Sequence, residues 1–202
     1  MRYKLREIPH FLRNPVGRYE LLLGQRHNLW PLLRIAATLY RRVVLTETRF
    51  IAVVGSLGKS TTMRAIAAAL GLQVPRIPPT NSWSGLALSI FAVRRGAPYC
   101  VLEAGISSRG HMEKYAAMIR PNISVITAIA SEHHRSLGTL EDIRFEKAHM
   151  VRGQRAQGFA VLNGDDPNVL WMAGQTSARI ITYGFEDKSD VRAADFEIVW
   201  PN

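Results

Sequence analysis

Short apolar runs alternate along this chain with longer amphipathic stretches. Residues 50–54, Phe-Ile-Ala-Val-Val, form a partly β-branched run that ends at a glycine, which predicts a buried strand. Comparable runs stand at 99–104, 123–129 and 159–162, with weaker ones at 179–182 and 196–199. Helix-forming stretches lie between them. Residues 59–70 are rich in alanine, and Gly71 can close the helix. Further helices are predicted over 86–93, over 111–119 before Arg120-Pro121, and over 139–152, where Thr139 can cap with Asp142 at the third helical position. The turn Asn163-Gly164-Asp165-Asp166-Pro167 leads into a short helix over 168–173. Near the start, residues 31–44 read as a helix with Pro31 at a favoured early position, and 1–28 as loops and short helices. Residues 73–81 hold three prolines and read as a loop. Strands alternating with helices imply an α/β fold, a mainly parallel sheet with helices on both faces.

The 202 residues suit one domain with an appendage, and 47% hydrophobic against 21% charged residues is an ordinary soluble balance. The single cysteine, Cys100, excludes an internal disulfide. It sits in an apolar run, which favours a packed thiol in a reducing, cytoplasmic compartment. The net charge of +10 is uneven: residues 1–49 hold ten Lys or Arg against three Glu, and 50–202 hold sixteen against thirteen acids. This divides the chain into a basic helical segment, 1–48, and a domain, 49–202. A basic arm of this kind is a solvated face or a docking site for an anionic surface. No secretory signal is visible. The apolar stretch 29–40 is broken by Pro31 and Arg34. It is too short to span a bilayer, but as an amphipathic helix it can lie on one, with Arg34, Arg41 and Arg42 at its polar edge. With few interleaved aromatics and no known motif in the arm, no nucleic-acid partner is expected.

The strongest chemistry lies between the first strand and the helix that follows. Gly55-Ser56-Leu57-Gly58-Lys59-Ser60-Thr61 has the order required of a phosphate loop. Its backbone N–H groups and the helix N-terminus point at the anion, and the glycines permit close approach. Lys59 meets the outer phosphates of ATP, and the Ser60 hydroxyl suits Mg²⁺. The spacing is shorter than the general form, because Val53 stands where its first glycine belongs. Glu103 ends a strand, where a hard carboxylate ligand is useful. His133 and His134 are adjacent, and imidazole is an unusual partner for hard Mg²⁺. On its own, Lys147 reads as a solvent-facing helix lysine near Asp142, Ile143 and Glu146, and Asn81 as a turn residue.

This short loop resembles that of the Mur ligases, the peptidoglycan amide-bond synthetases, whose relatives include the folylpolyglutamate, cyanophycin and poly-γ-glutamate synthetases. Further segments match the family's central domain in order: Leu102-Glu103-Ala104-Gly105, Arg120-Pro121-Asn122, Glu132-His133 followed by Leu137-Gly138-Thr139, Glu146-Lys147-Ala148, and the Asn163-to-Pro167 turn. Within the family the match is best to the type that adds D-alanyl-D-alanine to the muramyl tripeptide. The resemblance implies an ATP-dependent ligase of a carboxylate and an amine, acting through an acyl phosphate. It further implies Mg²⁺ on Ser60, Glu103 and His133, a carbamylated Lys147, and Asn81 near the substrate. Ala128 and His149 depart from the family pattern, where Asn and an acidic residue are usual. The family's C-terminal domain has no counterpart before Asn202, so a partner subunit or further domain is expected to complete the site. A related polymer ligase, or a non-catalytic nucleotide-binding scaffold with a basic docking arm, stays open as an alternative.

Overall fold

The computed structural model describes residues 15–72, 83–106, 108–131 and 137–194, the side chains of 15–28 and 83 excepted. Helix α1 (Pro15–Val43) leads into strand β1 (Arg49–Val54), then α2 (Lys59–Ala69), α3 (Trp83–Phe91) and β2 (Tyr99–Ala104). There follow α4 (His111–Ile119), β3 (Ile123–Ile126), α5 (Leu140–Arg152) and β4 (Phe159–Asn163). A short α6 (Pro167–Leu170) runs into a 3-10 turn (Trp171–Gln175), and β5 (Arg179–Gly184) and β6 (Val191–Arg192) close the order. The six described strands form one sheet in the order β2-β1-β3-β4-β5-β6. Every described pairing is parallel, as the alternation of strands and helices predicts.

Strand alternation divides the core. Phe50, Ala52 and Val54 of β1 face the larger cluster, with Leu86 and Ile90 of α3, Tyr115 and Ile119 of α4, and Ile143 and Val151 of α5. Ile51 and Val53 face the other way, against Met63 and Ile66 of α2. Helix α2 therefore packs on one face, and α1, α3, α4 and α5, with α6 and the 3-10 turn, contribute to the opposite cluster, because successive side chains of a strand point to opposite sides. Burying each large apolar side chain contributes about 1.5–3 kcal/mol before entropy is counted.

Three sequence-based expectations change. The first helix begins at Pro15, not near Pro31, and Pro31 lies in its interior. Proline removes one backbone hydrogen bond there. Trp30, Leu33, Ala37 and Tyr40 on either side pack on the core and hold the helix across it. The strand expected over 123–129 stops at Ile126, because the chain then leaves the sheet to meet the glycine-rich loop 55–58. A strand that the pattern did not predict falls at 191–192, where Asp190 accepts from the backbone N and hydroxyl of Thr182. The 196–199 run lies outside the described residues. Finally, Arg41 is not at a polar edge but buried. Its guanidinium donates to Ile119 O (3.1 Å), Leu45 O (2.8 Å) and Asn122 Oδ1 (3.3 Å), and stacks over the Phe50 ring. Burial and the nearby Arg155 hold its pKa below the usual arginine range.

Helix ends follow the local chemistry. Thr139 Oγ1 accepts from Asp142 N while Asp142 accepts from Thr139 N, a complete capping box for α5. At the end of α4, Arg120 takes a left-handed conformation (φ 45°) and Pro121 stops the helix.

Candidate functional site

β1 stands where the strand order reverses, with β2 on one side and β3 on the other. In such sheets the crevice beyond the strand C-termini is the ligand position. The loop 55–58 fills that place. Gly58 precedes α2 with φ 78°, a left-handed conformation that glycine adopts without strain. Gly55 lies against β3's continuation so closely that a Cβ there would stand 1.9 Å from Thr127 Oγ1. Ser56 N donates to Ala128 O at 2.6 Å, and Thr127 Oγ1 donates to Leu57 O at 2.6 Å. The loop is therefore tied down from β3 at two carbonyls and held open towards the crevice.

Charged and hydroxyl groups converge on it. Lys59 Nζ donates to Ser56 O at 2.9 Å, which folds the ammonium back over the loop. Ser60, in the first turn of α2, donates its hydroxyl proton to Glu103 Oε2 at 2.6 Å. Glu103 lies near the end of β2 and is buried, so its carboxylate is held where the neighbouring helix N-terminus begins. Ser56, Leu57 and Gly58 form the loop's rim, with Leu57 exposed, and Thr61 is exposed in the first turn of α2.

Lys147 is not solvent-facing. It is 1% exposed on α5, and its Nζ donates to Ser56 Oγ at 3.0 Å across 91 residues of sequence. The same Ser56 Oγ accepts from Ala130 N and donates to Ala130 O, so one hydroxyl joins loop, β3 extension and lysine. Glu146, next to Lys147, faces elsewhere: its carboxylate accepts from Gly110 N and Met112 N at the start of α4, at 2.9 Å each. That is the favourable place for an anion, and it serves a helix whose own N-cap is glycine.

Sequence reasoning missed Thr127 and Ser56 as organisers; their roles depend on partners 70 and 91 residues away. The Asn163-to-Pro167 turn also proves to be a support. Asn163 Nδ2 donates to Thr127 O, and Asp166 Oδ2 accepts from Ile129 N, both at 2.8 Å. Asp166 Oδ1 meanwhile caps α6 through Asn168 N. His133 and Asn81 lie outside the described residues.

Residues 53–199 match the Mur ligase middle domain. The chain belongs to that family. A UDP-N-acetylmuramoyl-tripeptide–D-alanyl-D-alanine ligase of Bacillus subtilis is 33% identical over 152 residues, which cover 73% of this chain and 32% of the relative. The corresponding ligase of Mycobacterium tuberculosis (strain H37Rv) is 29% identical over 165 residues, covering 80% of this chain and 32% of the relative. The chain thus spans about a third of the length of these curated relatives. Among solved structures, MurF from Acinetobacter baumannii superposes with a TM-score of 0.71 at 23% identity, covering 82% of this chain and 38% of that one. MurF from Thermotoga maritima in complex with ADP gives a TM-score of 0.68 at 23% identity, covering 78% and 37%. These structures share the fold of the Mur ligase domain described here. No described helix of this domain is long and apolar enough to cross a membrane.

Proposed function

We propose that this Mur ligase middle domain binds ATP with Mg²⁺ and serves an amide-bond ligase of peptidoglycan precursor synthesis. The observation that carries the reading is the Ser60–Glu103 pair at the mouth of the phosphate loop, a hydroxyl and a carboxylate from adjoining elements 2.6 Å apart. Among the described residues no group of three or more His, Cys, Asp or Glu gathers to hold a metal alone. That fits Mg²⁺, which is commonly bound through one or two carboxylates together with substrate phosphates and water. Ser60 and Glu103 would hold the ion, which when bound neutralises phosphate charge. Ser60 would then turn its lone pairs outward in place of its present bond to Glu103.

The rest of the proposal assigns the chain's own groups. The loop 55–61, through N–H groups other than that of Ser56, and the ammonium of Lys59 hold and orient the phosphates, where positioning and charge stabilisation supply most of the rate. The carboxylate substrate takes the terminal phosphoryl group, and the amine then displaces phosphate to leave the amide. Lys147 sits behind Ser56, where the carbamate implied by the family resemblance would put a negative charge beside the loop. NMR of the chain in isotope-labelled bicarbonate tests that modification directly. His133 as a second metal ligand and Asn81 near the substrate belong to the same reading. So do a cytoplasmic setting, the 49–202 domain, and a further domain or partner subunit that supplies the amine side.

Titration calorimetry with Mg²⁺-ADP is the test. Replacing Lys59 by alanine removes a charge-assisted contact worth on the order of 1.5–3 kcal/mol, so affinity falls about ten- to a hundred-fold. Glu103→Gln keeps the fold but weakens the dependence of binding on Mg²⁺. Equal affinity of parent and Lys59→Ala defeats the assignment of the loop.

A further inference from the structure

Helix α1 buries one side and leaves the other apolar. Leu29, Leu32, Ile35, Leu39 and Val43 are 50% to 72% exposed, while Trp30, Leu33, Ala37 and Tyr40 pack on the core. The exposed residues recur every three or four positions and so form one stripe, about 21 Å long. Among the described residues nothing covers it. A contiguous solvent-facing apolar stripe of this size marks an interaction site.

The stripe ends beside a basic hollow. Arg42, next to Val43 on α1, lines a cavity of about 380 Å³ together with Arg120, Arg152, His149 and Glu113. Arg152 donates to Gln175 Oε1. No ion pair among the described residues engages Arg42, Arg120 or the nearby Arg155. Desolvation and then the charges of Arg155 and Arg42 lower the pKa of Arg120, so the arginines lie in one another's field. The C-termini of α1, α4 and α5 converge here, each carrying about half a negative charge. Set against four arginines and Glu113, they leave roughly one and a half positive charges uncompensated. The hollow lies at the N-terminal ends of β1, β3 and β4, because each of the three helices precedes one of these strands. The phosphate loop is at the opposite end of the sheet. Arg42 lines the hollow and adjoins Val43, the last residue of the stripe, and both are exposed, so the two features meet at the end of α1.

We infer that this face docks in the plane of an anionic lipid bilayer, the stripe entering the acyl boundary and the arginine hollow taking a lipid phosphate. An apolar stripe on α1 beside a hollow lined by arginines of three segments, with no acid from 21 to 46, makes the combination that such interfaces select. The charge argues for lipid over a second copy, whose identical hollow would repel this one. Docking by this face leaves the phosphate loop pointing away from the membrane. The inference is independent of the nucleotide reading.

The test is flotation of the 202-residue chain with vesicles of phosphatidylcholine, or of two parts phosphatidylcholine to one part phosphatidylglycerol. The expected result is binding to the anionic vesicles, weakened by salt because exposed charges are screened within about 10 Å at 0.1 M. Arg42→Glu and Arg120→Gln each lower partitioning by on the order of five-fold for every positive charge removed. The surface triple variant Leu32→Ser, Ile35→Ser, Leu39→Ser lowers it by about ten-fold or more. Far-UV circular dichroism and Mg²⁺-ADP titration stay at the parent's values, which separates this failure from failure of the loop. Equal recovery with both vesicle types, or triple-variant binding equal to the parent, overturns the proposal. So does inorganic phosphate binding without vesicle binding, or self-association that the triple variant abolishes while vesicles go unbound.

Discussion

Replacing Gly55 by alanine puts a methyl group where the loop passes under the end of β3. An ideal Cβ there stands 1.9 Å from Thr127 Oγ1 and 3.1 Å from both Ala128 N and Ala128 O. The backbone atoms of Ala128 are fixed by the bond from Ser56 N, so Thr127 must give way. Moving its hydroxyl breaks the 2.6 Å bond to Leu57 O, which holds the loop rim. Loss of that hydrogen bond costs about 1 kcal/mol, and overpacking a fitted site costs about 1–3 kcal/mol more. The sum, about 2–4 kcal/mol, lowers the melting temperature by roughly 4–16 °C in a domain of this size. Calorimetric melting of Gly55→Ala measures it. A double-mutant cycle with Thr127→Ala locates the cause, because removing the hydroxyl relieves the clash and should give a coupling of about 1 kcal/mol or more. A melting temperature within about 2 °C of the parent, or strict additivity in the cycle, refutes the close-packing account.

Three further outcomes are expected. Arg41→Met keeps volume but leaves Ile119 O and Leu45 O without that donor, while Asn122 Oδ1 keeps its bond from Phe50 N, and urea denaturation should show a loss of about 2–5 kcal/mol; a loss below about 1 kcal/mol contradicts the buried-tie reading. Burial pushes the Cys100 thiol up to about 12, partly opposed by the Arg41 charge, so iodoacetamide at about pH 8 should alkylate the folded chain far more slowly than the urea-unfolded one; equal rates would place the thiol at the surface. Asp142 is held below its ordinary value of 3.8, first by the Thr139 backbone N–H and then by its hydroxyl, so its contribution is present above that pH and is lost as pH falls through the lowered value. The melting deficit of Thr139→Ala should therefore be largest near neutral pH and shrink in acid, and a deficit independent of pH would separate the cap from the carboxylate's charge.

The local periods of the chain were enough for the α/β alternation, the glycine-rich loop between β1 and α2 and the packed Cys100. Hydrophobic spacing of two or 3.6 residues, glycines at a loop and a threonine cap are properties of neighbours in sequence. The Ser60–Glu103 pairing was likewise within reach, because Ser60 begins the helix after β1 and Glu103 lies near the end of β2, and parallel strands bring both to the same end of the sheet. Lys147 was not. Its spacing on α5 fits a solvated lysine, and only the packing of α5 against the sheet buries it beside Ser56, 91 residues away. Arg41 misled for the same reason: a charge in an amphipathic stretch reads as polar edge until oxygens of Ile119 and Asn122, about eighty residues away, join Leu45 O in closing around it. The chain's pattern likewise could not say which apolar side of α1 is covered. Helix periodicity marks Trp30 and Leu32 alike as hydrophobic, and tertiary packing alone places the first on the core and leaves the second in water. Contacts between distant segments are set by the sum of all packing choices, and no single stretch of sequence carries that sum.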